Sequence, residues 1–231
     1  MRTAAICLSL SLAFLASAAA ADTNRCEEPL KKGDALEKAG QKAEAVPFFT
    51  KAIQLCMPPQ SDAEKHALAK AHIRIGVSQY ASDPAQALLH FRKAVEIDPD
   101  NLAGPLDLAA TLIALQSYKE AQAVAEKAIA HGTDDKELLG QLEYNAGLAQ
   151  LKLCVSHGSG CDHANMEQHF QRAAELKPDY PDSYFNLAAI MNDVHHDSRK
   201  AMALFKKACD LGHQLGCMQY EHFKSELGPK K

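Results

Sequence analysis

An alanine, a phenylalanine four residues on, a basic residue and a second alanine seven residues after the first recur along this 231-residue chain, and no other feature restricts its fold as much. The motif stands at Ala45, Phe49, Lys51, Ala52, at Ala87, Phe91, Lys93, Ala94, and at Ala201, Phe205, Lys207, Ala208. Two variant copies, Ala121, Ala125, Lys127, Ala128 and Met166, Phe170, Arg172, Ala173, bring the number to five. Seven residues are two helical turns, so the paired alanines share one face and let a second helix approach closely. Tandem copies of one helical unit predict an all-α solenoid, an architecture whose surface usually holds another molecule.

The flanks of each copy fit that unit. A small residue stands eleven or twelve positions before the first alanine in three copies, at Gly33, Gly76 and Ala109. Stop signals follow the second alanine: Met57 with Pro58 and Pro59, Asp98 with Pro99, Gly132 with Thr133, and Pro178. Proline blocks continuation of a helix, and glycine permits the left-handed cap. Each unit therefore reads helix, turn, helix, stop. Ala52 and Ala94 lie 42 residues apart, and Ser61, Asp62, Ala63, Glu64 has the form of a capping box, which predicts an extended helix from about Asp62 to Tyr80. Pro47 should kink its helix or delay its start. The polar, Gly-containing stretch from Cys154 to about Asn165 is expected to protrude as a loop between the two helices of copy four.

Residues 1–20 have the form of an export signal: Arg2 is the positive end, Ala4 to Leu15 is largely apolar, and Ala18 to Ala21 offers small residues for cleavage. A membrane anchor fits less well, because serines interrupt the run and it is shorter than the roughly 20 apolar residues of a span. Loss of Arg2 with the signal takes the net charge from −4 to −5, which gives no electrostatic reason to expect nucleic acid. Trp is absent and aromatics are sparse, so the core should be Ala, Leu and Ile between close helices. Six cysteines follow the signal: Cys26, Cys56, Cys154, Cys161, Cys209 and Cys217. An even number in an exported chain points to disulfides, with fifteen pairings possible. The first and last positions of an antiparallel helical hairpin lie side by side, which pairs Cys26 with Cys56.

These residues make the chain resemble the tetratricopeptide repeat family, most closely from Leu102 to about Asp135, where Leu108, Ala109, Tyr118, Ala121 and Ala128 stand in the family's places. Asp98, Pro99, Asp100, Asn101 is similar to the family's inter-repeat turn. Ala208, Cys209, Asp210, Leu211, Gly212, Gly216 and Cys217 resemble the cysteine-rich Sel1-like relatives of that repeat. The resemblance implies a right-handed α-solenoid of about five hairpins over residues 26–228, with repeats at about 26–59, 61–101, 102–135, 136–180 and 181–212 and a capping helix over 214–227. It also implies a Cys209–Cys217 bridge, which leaves Cys154 and Cys161 to close the inserted loop.

The same resemblance puts ligand-facing positions at Arg74, Asp107, Asn145 and Asn186, with apolar neighbours that include Tyr144 and Phe185. An asparagine both gives and accepts a hydrogen bond, so it can clasp the backbone of an extended peptide. The apolar neighbours can equally be packing between repeats. Enzyme signatures are missing: there is no Gly-x-Ser-x-Gly elbow, His-Glu-x-x-His pair, phosphate-cradling loop or haem-attachment motif. The expectation is a non-catalytic scaffold of the bacterial cell envelope, periplasmic or secreted, that takes a protein or peptide partner and needs no cofactor. Two alternatives stay open. One is a metal-binding protein using Cys154, His157, Cys161, His163 and His169, since thiolate and imidazole suit zinc and copper. The other is a cell-envelope enzyme of the Sel1-like type.

Overall fold

The structure is a computed structural model, and it describes residues 26–158 and 161–227. The expected export signal and Cys7 lie outside the described residues, as do Ser159 and Gly160. Among the described residues there are eleven helices and no strand. They divide into two compact units, one ending at Asp98 and the other beginning at Pro99.

The first unit holds α1 (Glu27–Lys38), α2 (Lys42–Cys56), α3 (Asp62–Gln79) and α4 (Pro84–Ile97). The capping box starts α3: Ser61 Oγ accepts from the Glu64 amide at 3.2 Å, and Glu64 Oε2 accepts from the Gln60 amide at 2.6 Å. Asp83 caps α4 in the same way, accepting from the Gln86 amide, with Pro84 at the first helical position. Pro47 does not delay its helix. α2 already begins at Lys42, five residues ahead of the proline. Pro47 faces solvent while Ala45, Phe49 and Ala52 are buried, so the carbonyl that loses its partner reaches water and the packed face holds the helix.

The repeat motif earns its regularity in the packing. Phe49 and Phe91 are almost fully buried, each against the small residue of the preceding helix. A Cβ at Gly33 would lie 2.4 Å from Phe49 Cε1, and one at Gly76 2.6 Å from Phe91 Cε1. The ring thus fills the space that a side chain would need. Complete burial of such a side chain contributes roughly 1.5–3 kcal/mol. Leu30, Phe49, Leu68 and Ile75 join Cys26 and Cys56 in one core.

The second unit holds α5 (Ala103–Ala114), α6 (Tyr118–His131), α7 (Lys136–His157), α8 (His163–Leu176), α9 (Pro181–Asp193), α10 (Ser198–Asp210) and α11 (Gln214–Leu227). Asp135, Asp162 and Asp197 cap α7, α8 and α10 through the amides of Leu138, Asn165 and Lys200. The same small-to-ring contact recurs, with Gly147 against Phe170 and Ala188 in one core with Phe205. In the variant copy without an aromatic, Ala109 and Ala125 meet instead.

Copy four differs from the expected long loop. Most of the insertion is helical, because α7 runs for 22 residues to His157 and ends on Gly158 in the left-handed region at φ +69°. Asp162 then starts α8. Nothing before Gly158 breaks the helix, so the polar character of the segment marked exposure rather than loop. Disulfides join Cys26 to Cys56, Cys154 to Cys161 and Cys209 to Cys217, with Cα–Cα distances of 5.6, 5.1 and 4.4 Å.

Candidate protein-interaction site

In the first unit a groove of about 470 Å³ runs between α1 and α3. Cys26, Leu30, Ala63 and Ala67 give it an apolar floor, and Lys31, Asp34 and Lys70 stand along its edge. The edge charges are held in place. Lys70 Nζ lies 2.6 Å from Asp34 Oδ2, while Arg74 Nε lies 3.5 Å from both Asp34 Oδ1 and Glu37 Oε2. The 3.5 Å approach is an ion-pair contact without hydrogen-bond geometry, so Asp34 Oδ1 has no hydrogen-bond donor although it is buried. Arg74, singled out from the sequence, is thus the outer end of a charged row whose inner end borders the groove. Such a surface offers an apolar strip with oriented charges of both signs beside it, which suits an amphipathic segment of another chain.

In the second unit the remaining predicted residues are engaged with their own neighbours. Asn145 is 9% exposed, and its amide donates to the Leu106 carbonyl at 3.4 Å. Asn186 donates to the Asp182 carbonyl one turn back, at 2.9 Å, and also bonds the Tyr144 hydroxyl. Tyr144 packs edge-on against Tyr180 with ring centres 4.9 Å apart. Burial, with the negative groups of Tyr180 and Asp182 nearby, pushes the Tyr144 hydroxyl well above the ordinary tyrosine range, and its bond with Asn186 acts in the opposite direction. Phe185 stacks on His213 at 4.4 Å and packs against Phe205. Asp107 is half-buried, and its backbone carbonyl accepts from Thr111 Oγ1 at 2.7 Å. The structure therefore brings Tyr144, Asn145 and Phe185 and Asn186 into inter-helix contacts and leaves only parts of their surfaces open.

The inserted segment places Cys154, Cys161 and His163 with their ligand atoms within 4.8 Å of one another. Because the two sulfurs are bonded to each other, a single imidazole remains there as a metal ligand. His169 faces away from that cluster and toward α7, where its Nδ1 lies 2.6 Å from Glu143 Oε2; Arg172 Nε is 2.9 Å from Glu143 Oε1. Glu143 is the charged group that sequence reasoning missed. It is 1% exposed, yet it stands beside Tyr144 in a helix whose pattern gives no sign that an acid is turned inward. Only the basic pair His169 and Arg172, three residues apart on α8, hinted at a buried counter-charge.

Two tetratricopeptide repeat models match the sequence, over residues 30–56 and 80–143. Over those segments the chain carries tetratricopeptide repeats, and its fold is an all-α repeat solenoid of that family. Among solved structures it is similar to PilF of Pseudomonas aeruginosa, at 17% identity and a TM-score of 0.68, covering 91% of this chain and 95% of that one. YrrB, described as a TPR protein with an unusual peptide-binding site, matches at 18% identity and a TM-score of 0.61, covering 91% and 97%. MamA of Desulfovibrio magneticus RS-1 matches at 18% identity and a TM-score of 0.60, covering 81% and 95%. No curated protein sequence matches the chain. Among the described residues no helix is long and apolar enough to cross a membrane.

Proposed function

We propose that this protein is a non-catalytic interaction scaffold of the bacterial cell envelope, periplasmic or secreted, that holds a peptide or protein segment against the inner faces of its helical hairpins. The observation that carries the reading is the α1–α3 groove, where an apolar floor is flanked by charges already fixed by partners. Fixed side chains lose little freedom when a partner docks, which lowers the entropic cost of binding. The export signal in the sequence and the three disulfides support work outside the cytoplasm. The Cys209–Cys217 bridge supports a Sel1-like character for the last hairpin. Arg74 continues the charged row beside this groove, and within the second unit, taken by itself, Asp107, Tyr144, Asn145, Phe185 and Asn186 are the proposed contact residues.

The test is affinity capture from the native cell envelope with wild-type protein and with Ala63→Trp as parallel baits, followed by mass spectrometry. Ala63 is exposed and lines the groove, so a bulky replacement obstructs it without entering the core. The expected result is a partner retained by the wild type and lost by the variant at unchanged helicity. An identical set of captured proteins from both baits would overturn the assignment to this groove.

A further inference from the structure

The first unit holds a second pair of groups that the interaction role does not use. His72 on α3 and His90 on α4 face each other across the hairpin, with their Nδ1 atoms 3.0 Å apart and ring centres 5.2 Å apart at an interplanar angle of 42°. Both rings are half-buried, so each has one side fixed by packing and another open to water. We propose that His72 and His90 form a two-histidine chelate for a divalent transition-metal ion, with Cu²⁺ or Ni²⁺ preferred to Zn²⁺.

The preference comes from geometry. Two imidazole nitrogens 3.0 Å apart, each at a bond length of about 2.0–2.1 Å, subtend an angle of about 95° at the metal. That is close to the right angle between neighbouring positions in square-planar and octahedral complexes, the geometries of Cu²⁺ and Ni²⁺ with nitrogen and oxygen ligands. A tetrahedral zinc needs the nitrogens spread to about 3.3 Å at the same bond length. Water fills the remaining positions from the open side. Without metal, one ring donates its Nδ1 proton to the lone pair of the other. On binding, that ring takes the tautomer with its proton on Nε2, so both Nδ1 lone pairs turn to the ion. Lys93 is the nearby cation that opposes binding, and its ion pair with Glu96 Oε2 at 2.7 Å partly offsets its charge. The helices are already packed together, so the two rings are held near one another before an ion arrives.

The experiment titrates full-length mature protein, free of added histidine tags, stripped with EDTA and with its disulfides intact, with CuCl₂, NiCl₂ and ZnCl₂ by calorimetry. One equivalent of Cu²⁺ or Ni²⁺ should bind more tightly than Zn²⁺, and His72→Gln or His90→Gln should each weaken that equivalent on the order of 100-fold, as expected when a two-point attachment becomes one-point. His195→Gln with His196→Gln should leave it unchanged. On the wild type, the ring nitrogen resonances of His72 and His90 should be the first to move when Zn²⁺ is added, which decides the matter even if a variant fails to fold. A wild-type isotherm retained by both single variants, first-equivalent shifts at other histidines, or no binding at all would overturn the site.

Discussion

At Gly33 and Gly76 a single absent methyl group decides whether two helices can meet. The Phe49 and Phe91 rings occupy the positions that a Cβ would take, and neither ring can retreat because each is sealed in its core. Gly33→Ala and Gly76→Ala should therefore each lower stability by about 1–3 kcal/mol, the cost of overpacking a filled site. Urea denaturation checks this, with Gly40→Ala as a contrast, where nothing lies near the new methyl and only the positive φ of +81° is strained. His72 supplies a pH dependence in the metal-free protein. Burial first, then the His90 ring and the Lys93 charge, hold its pKa at about 4 instead of 6.5, and burial lowers His90 as well. The unfolded chain then binds more protons than the folded one between these values. Stability from this pair is complete above about pH 6.5 and is lost as the pH falls toward 4. Urea midpoints measured across that range in EDTA should fall for the wild type and fall less for His72→Gln. The glycines and phenylalanines were legible in the sequence because they repeat. His72, His90 and Glu143 were not, since each occurs in one copy and acquires its partner only when helices pack.

Whole helices follow local rules and depart from them where packing intervenes. Ser61 and Glu64 start α3 through the capping box, and Pro58, Pro59 and Pro99 stand just beyond α2 and α4. Pro47 breaks the pattern because a helix edge facing water tolerates an unpaired carbonyl. The length of α7 was hidden for a different reason: polar residues occur both in loops and on exposed helix faces, and periodicity alone does not separate them over one turn. The α1–α2 hairpin is closed by Cys26 and Cys56, 30 residues apart. Replacing both by serine should cost about 3–4 kcal/mol by the chain-entropy argument, while Cys154→Ser with Cys161→Ser, spanning 7 residues, should cost about 2.5 kcal/mol. Chemical denaturation of the two double variants gives the comparison, and a smaller loss for the long span than for the short one would contradict it.

Across the molecule, stability in a repeat fold is a sum of units and their neighbour contacts, so an uncovered end is expensive. α11 covers such an end. Phe223 stacks on Phe205 with ring centres 5.6 Å apart, and both belong to the core of the second unit. Phe223→Ala should cost about 3 kcal/mol. Removal of residues 214–227 should raise binding of the dye ANS by exposing Phe205, and fluorescence measured beside the intact chain reads that directly. The solenoid class was readable from five spaced motifs, whereas the groove between α1 and α3 was not, because its lining residues come from two helices and share no motif. From Cys26 onward, the cysteines are bonded in consecutive pairs: Cys26 to Cys56, Cys154 to Cys161, Cys209 to Cys217. On the export and signal removal proposed above, which take Cys7 away, a thiol oxidase meeting the polypeptide amino end first would make these bonds by joining cysteines in their order of arrival, with no shuffling step.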